Sequence, residues 1–127
     1  LKEATDLFRE LGEQTDLVLR LTIMGNIQTD LGKLANTPKQ ARKHFNEALD
    51  IYTQTLRLAR MGEDITTEAQ ILSHIGRIYI ALAQYERAVE YFYSASQLYN
   101  TLGMEAEYQH CLSQIEQGMK LINQHEL

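Results

Sequence analysis

The sequence has no tryptophan, one proline and one cysteine in 127 residues. A lone cysteine cannot close a disulfide within the chain, so a disulfide-stapled secreted domain is excluded. With a single proline and no low-complexity tract, disordered, collagen-like and mucin-like readings fall away as well. No uncharged apolar stretch approaches the ~20 residues of a membrane span, and no signal peptide opens the chain. The formal charge of −5 and pI of about 5.3 supply no general positive field for a phosphate backbone, so a nucleic-acid partner is not expected. What is present is a 14.6 kDa chain, 44% apolar and 23% charged, long enough to bury roughly two-thirds of its unfolded surface. A soluble, cytoplasmic globular module is the expectation. Because the first residue is Leu1 and not Met, the chain is also expected to be a piece of a longer protein.

Apolar residues recur at helical steps almost throughout. Ile71, Leu72, Ile75, Ile78, Tyr79 and Leu82 fall three and four apart, as do Leu112, Ile115, Met119 and Ile122, the spacing of one helix face. No stretch alternates with period two. Gly12, Gly62 and Gly103 each follow a long apolar residue, the position of a left-handed helix C-cap. At Asn36-Thr37-Pro38, Thr37 can cap, Pro38 suits the first helical position and Gln40 completes a capping box. These breaks predict six helices, at 2–11, 15–35, 38–61, 66–82, 85–101 and 105–124. Their connections are short enough to make neighbours antiparallel hairpins. The fold class is all-α.

The helices also echo one another. Leu72, Ile75 and Leu82 fall on Leu112, Ile115 and Ile122 at a shift of 40, and on Leu21, Met24 and Leu31 at a shift of 51, where Gly76 meets Gly25. Ala88 and Phe92 fall on Ala48 and Tyr52 at a shift of 40. At a shift of 91, Ala95, Leu98, Tyr99, Leu102 and Gly103 fall on Ala4, Leu7, Phe8, Leu11 and Gly12. One domain, 1–127, then divides into the second helix of a partial repeat (2–11), a repeat with an elongated hairpin (15–61), the best-matching repeat (66–101) and the first helix of a partial one (105–124).

Leu72-x-x-Ile75-Gly76-x-x-Tyr79 followed by Ala88-x-x-x-Phe92 resembles the tetratricopeptide repeat, whose pattern is W-x-x-L-G-x-x-Y, then A-x-x-x-F and a closing Pro. Leu72 stands in the Trp place and Asn100 roughly in that of Pro. The period of about 40, longer than the usual ~34, resembles the long-linker variety found in large scaffold and signalling proteins. The resemblance implies an α-solenoid in which first helices line a concave surface that binds a peptide or helix. On that face lie Thr22, Asn26, Thr29 and Asp30, then Gln70, Ser73, Arg77 and Ile80, then His110, Ser113, Gln117 and Lys120. Asn26, Arg77 and Gln117 occupy equivalent places, so a polar row is expected along the groove. A protein or peptide partner is implied, with no membrane, no cofactor and no enzymatic activity. Self-association through open solenoid ends is a further expectation. The alternative function is a sensor or regulatory domain of a larger signalling protein, such as a repeat-bearing NTPase or transcription regulator.

The first hairpin departs from the others, with eleven extra residues, Gly32 to Arg42, between its helices. Both helices are expected to run on by about one and a half turns and project a tip. That tip carries Lys33, Lys39, Arg42 and Lys43, and residues 1–60 are net +1 while residues 61–127 are net −6. A basic knob of this kind suits an acidic partner. Tyr91, Phe92 and Tyr93 are consecutive and cannot share one helix stripe, so at least one belongs at a seam or the surface. His110, Cys111 and His125 span four turns, about 20 Å, too far apart to share a metal ion. His74 lies beside the core stripe, where a partly buried, hydrogen-bonded histidine is expected.

Overall fold

The protein is described by a computed structural model covering residues 3–126, and every regular element among them is an α-helix. The order is α1 (Ala4–Leu34), α2 (Pro38–Met61), α3 (Ile65–Ala81), α4 (Tyr85–Leu102) and α5 (Glu105–Glu126). Each helix packs antiparallel against the next, so the five lie side by side in chain order. No helix among the described residues is long and apolar enough to cross a membrane.

The helix starts follow their capping residues. Thr37 accepts a hydrogen bond from the Gln40 backbone N–H at 3.1 Å, with Pro38 at the first helical position. Asp64 caps α3 by accepting from the Thr67 N–H at 3.1 Å and from its hydroxyl at 2.6 Å. The three later helix ends close alike. Asp64 N–H donates to Ala59 O, Gln84 N–H to Tyr79 O and Met104 N–H to Tyr99 O, at 2.9, 2.9 and 3.0 Å. These are the long bonds of a Schellman turn, and each needs a left-handed residue just before the donor. Gly103 fills that place with φ +72, but the other two are Glu63 (φ +54) and Ala83 (φ +60). Gly62, expected to be left-handed, has φ −87.

Two expectations are corrected at the N-terminal side. Five helices are found instead of six, because the segments expected at 2–11 and 15–35 form one helix, α1, that runs straight through Gly12. The turn at Gly103 is held by packing on both sides of it. Residues 4–7 and 9–13 of α1, by contrast, are exposed. The continuous hydrogen-bond ladder therefore wins. Toward this end of α1 the Gln14 side chain donates to Leu58 O at 3.4 Å.

Glycines mark the close approaches between helices, and two of these have equivalent places in the α1–α2 and α3–α4 hairpins. Within the α1–α2 hairpin the ring of Tyr52 lies against Gly25, so close that any Cβ there would collide with it. Within α3–α4 the ring of Phe92 lies against Gly76, with 3.0 Å left for a Cβ. Ala48 and Ala88 are fully buried one turn earlier on α2 and α4. From Ala48 to Arg60 the order of buried, half-buried and exposed residues is the same, position for position, as from Ala88 to Asn100. Of the consecutive aromatics, Phe92 is buried, Tyr91 is half-buried and stacks on Tyr79 at 5.5 Å, and Tyr93 is exposed. Helix α2 has 24 residues against 18 for α4. Its extra turns carry Lys39, Arg42 and Lys43 exposed at the α1–α2 tip.

The same substitution at two glycines of α1 will act in opposite directions. Gly12 has nothing within 4 Å of a Cβ, so Gly12→Ala is expected to stabilise by about 0.5–1 kcal/mol through helix propensity. Gly25→Ala gains the same propensity but overpacks against buried Tyr52, at a cost of about 1–3 kcal/mol, for a net loss. Urea midpoints at equal protein concentration, one rising and one falling, check both.

Candidate functional site

Helices α1 and α3 flank α2, and the valley between them is floored by α2 side chains. Its central pocket, about 320 Å³, is lined by Asn26, Thr29, Asp30 and Lys33 of α1, Phe45 and Tyr52 of α2, and His74, Arg77, Ile78 and Ala81 of α3. Three of the expected groove residues of α1 thus meet Arg77 of α3 in one place. The Tyr52 hydroxyl donates to Asn26 Oδ1 at 2.6 Å and lies 3.3 Å from the Thr29 hydroxyl. Thr29 also donates to Gly25 O at 2.9 Å. The floor is therefore a hydrogen-bonded set fixed to the core, while the charged groups Asp30, Lys33 and Arg77 stand exposed around it.

Two further pockets continue the surface. Toward the start of α1, a pocket of about 320 Å³ is lined by Leu11, Val18, Leu19, Leu58 and Ala59, with Thr22 and Gln70 at its wall. It is the apolar part of the valley. Thr22 turns its hydroxyl back to Val18 O at 2.8 Å, while Gln14, Asp64 and Gln70 bring polar groups to the rim. On the other side of α3, a pocket of about 210 Å³ is lined by Ser73, Arg77, Tyr99, Glu107, His110 and Cys111 among others. Arg77 belongs to this pocket and to the central one, and so sits at their junction. Ser113 and Gln117 are exposed on α5 outside all three pockets.

The electrostatics follow from burial. The imidazole of His74 stacks on Tyr52 with ring centres 5.4 Å apart. Burial, with the positive charge of Arg77 beside it, pulls its pKa down to about 4, so near neutrality it is an uncharged ring. Burial raises the Tyr52 and Tyr99 phenols and the Cys111 thiol above their ordinary values. Cys111 lies 3.6 Å from the Ser73 hydroxyl inside the core. His125 packs on Tyr85 at 5.1 Å.

Several positions differ from the sequence reading. Ser73 is buried against Cys111 and lines the pocket beyond α3, not the α1–α3 valley. His74 makes no hydrogen bond among the described residues; its partner is the Tyr52 ring. Lys33, assigned to the basic tip, lines the central pocket with Asn26 and Arg77, while Lys39, Arg42 and Lys43 lie outside it. Tyr52 and the apolar Leu19–Leu58 stretch were not legible as groove residues, because they enter from α2 or from a position off the polar row. Their signal was the fixed offset between each first helix and the aromatic beneath it. Compared with known protein families and with curated proteins, the chain matches none.

The low pKa of His74 has a sign that can be checked. The unfolded chain binds a proton near pH 6.5, and the folded one only near 4. The stability that a neutral His74 permits is therefore complete above about 6.5 and is lost as pH falls from there to about 4. Histidine NMR titration should place His74 near 4. His74→Phe, which keeps the stack, should flatten the fall of stability across that window.

Proposed function

We propose that the chain is a non-enzymatic protein-interaction module, built as a tetratricopeptide-like α-solenoid of stacked helix hairpins, within a larger scaffold protein. It binds a peptide or helix along the α1–α3 valley. The observation that carries this reading is the meeting of Asn26, Asp30, Lys33 and Arg77 around one hydrogen-bonded floor, next to an apolar pocket in the same valley.

The solenoid reading draws support from the matching burial order of residues 48–60 and 88–100 and from the paired contacts of Gly25 with Tyr52 and Gly76 with Phe92. In such an array each hairpin buries its apolar face on the next, and first helices are left to line a continuous surface. The non-enzymatic reading draws support from the state of the reactive side chains. His74 is stacked and uncharged, and Cys111 is buried with its pKa raised.

A ligand suited to this valley has an apolar side chain for the Leu19–Leu58 pocket and a carboxylate for Lys33 and Arg77. Charge-assisted hydrogen bonds to Arg set orientation, and the apolar anchor supplies most of the affinity. Arg77→Glu is expected to weaken capture of peptides from a displayed library at least tenfold, with unchanged helicity by circular dichroism. Reversal of Lys39, Arg42 and Lys43 together should leave the same capture within twofold. Capture indifferent to Arg77→Glu would remove the groove from the binding role.

A further inference from the structure

Helix α1 packs on α2 along one side, where Gly25 meets Tyr52 and Gly32 meets Phe45. Another side has a regular apolar pattern of its own. Leu17, Met24 and Leu31 are seven residues apart, and so are Arg20, Ile27 and Leu34. Together they alternate by three and four, which puts all six on one side of the helix as the a and d positions of a heptad seam. All six are exposed, and so is Ile23 beside them. At the shift of 51, Arg20, Met24 and Ile27 correspond to Ile71, Ile75 and Ile78 of α3. Those three are 1%, 2% and 1% exposed, whereas Met24 and Ile27 are 49% and 51% exposed. The α1 seam is thus patterned as a packing face, and none of the described residues covers it.

We propose that a second copy of this chain covers the seam, the two α1 helices lying antiparallel about a two-fold axis. The spacing sets the register. With Met24 opposite Ile27 of the other copy, Leu17 falls opposite Leu34 and Arg20 opposite Leu31, so every a position meets a d position. Arg20 is the one charged residue in the seam, and Asp30 stands next to Leu31 at its edge. Neither forms a salt bridge among the described residues. In the antiparallel register each Arg20 comes beside Asp30 of the other copy, and symmetry makes the pair twice. A parallel pair would set Arg20 against Arg20. A two-fold interface needs a patch that complements itself in this way, and charges flanking an apolar seam select partner and orientation. The five apolar seam residues and Ile23 expose several hundred Å² in one stripe, the size at which a patch marks an association site. That is of the order of the ~800 Å² that each partner buries in a standard interface. Asn26 and Lys33 lie about 120° round α1 from the middle of the seam, so the dimer leaves the valley open and does not rest on its binding role.

The test begins with sedimentation of the unmodified chain, which should show a dimer fraction that rises with concentration. Ile27→Glu, at an exposed position, should keep its helicity by circular dichroism and weaken the dimer at least tenfold. Arg20→Asp should weaken it as well, and adding Asp30→Arg to the same chain should restore it. Orientation is read by mixing two single variants, Leu17→Cys and Leu34→Cys, under mild oxidation; the native Cys111 is buried. Mass spectrometry of peptides should find bonds between residues 17 and 34 of different chains in at least fivefold excess over 17–17 and 34–34 bonds. A chain that stays monomeric up to millimolar concentration, or a dimer indifferent to Ile27→Glu, would overturn the proposal. An excess of 17–17 and 34–34 bonds, or a charge swap that restores nothing, would overturn it equally.

Discussion

An aromatic ring on the second helix of each hairpin lies against a glycine on the first, and the spacing of the whole stack follows from that contact. With Gly25 facing Tyr52 and Gly76 facing Phe92, two backbones approach as closely as a ring edge allows. Each ring then buries nearly all of its surface, among the largest single contributions a side chain makes to a core. A methyl at either glycine would have to displace a buried ring. Small-over-aromatic pairing therefore fixes where α1 and α3 stand relative to α2 and α4.

The groove inherits its geometry from the same contact. Tyr52 is both the ring packed under Gly25 and the hydroxyl that donates to Asn26, so the pocket floor cannot shift without loosening the core. His74 completes the arrangement from α3 by stacking on the Tyr52 ring in its neutral form. The charged groups around the pocket sit on this rigid base, a configuration that lowers the ordering cost of binding. In the α3–α4 hairpin the equivalent ring is Phe92, which has no hydroxyl. The neighbouring pocket is floored instead by Tyr99, and polarity along the surface is uneven as a result.

Much of the fold could be read from periodicity and self-comparison. Whereas the contact of Gly76 with Phe92 inside one hairpin depends on how the two helices pack, the Thr37-Pro38 start and the breaks after Met61 and Leu102 rest on local chemistry. Gly12 could not be read that way. Leu11-Gly12 looks like Leu102-Gly103, but a turn forms only where the two flanking helices have each other to pack on, and that is a tertiary condition. The left-handed residues Glu63 and Ala83 were invisible for a related reason: the Schellman bonds and the packing around them impose the conformation on residues with no preference for it. In the site, Asn26 and Arg77 were legible because they hold equivalent places, 51 residues apart, beside the matching apolar stripes of α1 and α3. Lys33 was not, since the length of the α1–α2 hairpin had suggested a separate tip, whereas one turn of α1 carries it back into the valley.

The contact between ring and glycine is most directly measured by a double-mutant cycle at the α3–α4 pair, with Gly76→Ala and Phe92→Leu made singly and together. If the ring fixes the helix spacing, the smaller leucine leaves room for the methyl. Gly76→Ala should then cost at least about 1 kcal/mol less in the Phe92→Leu background than alone, a coupling well outside the ~0.3–0.5 kcal/mol scatter of independent sites. Equal costs in both backgrounds would show that the glycine and the ring are not in the contact on which this account depends.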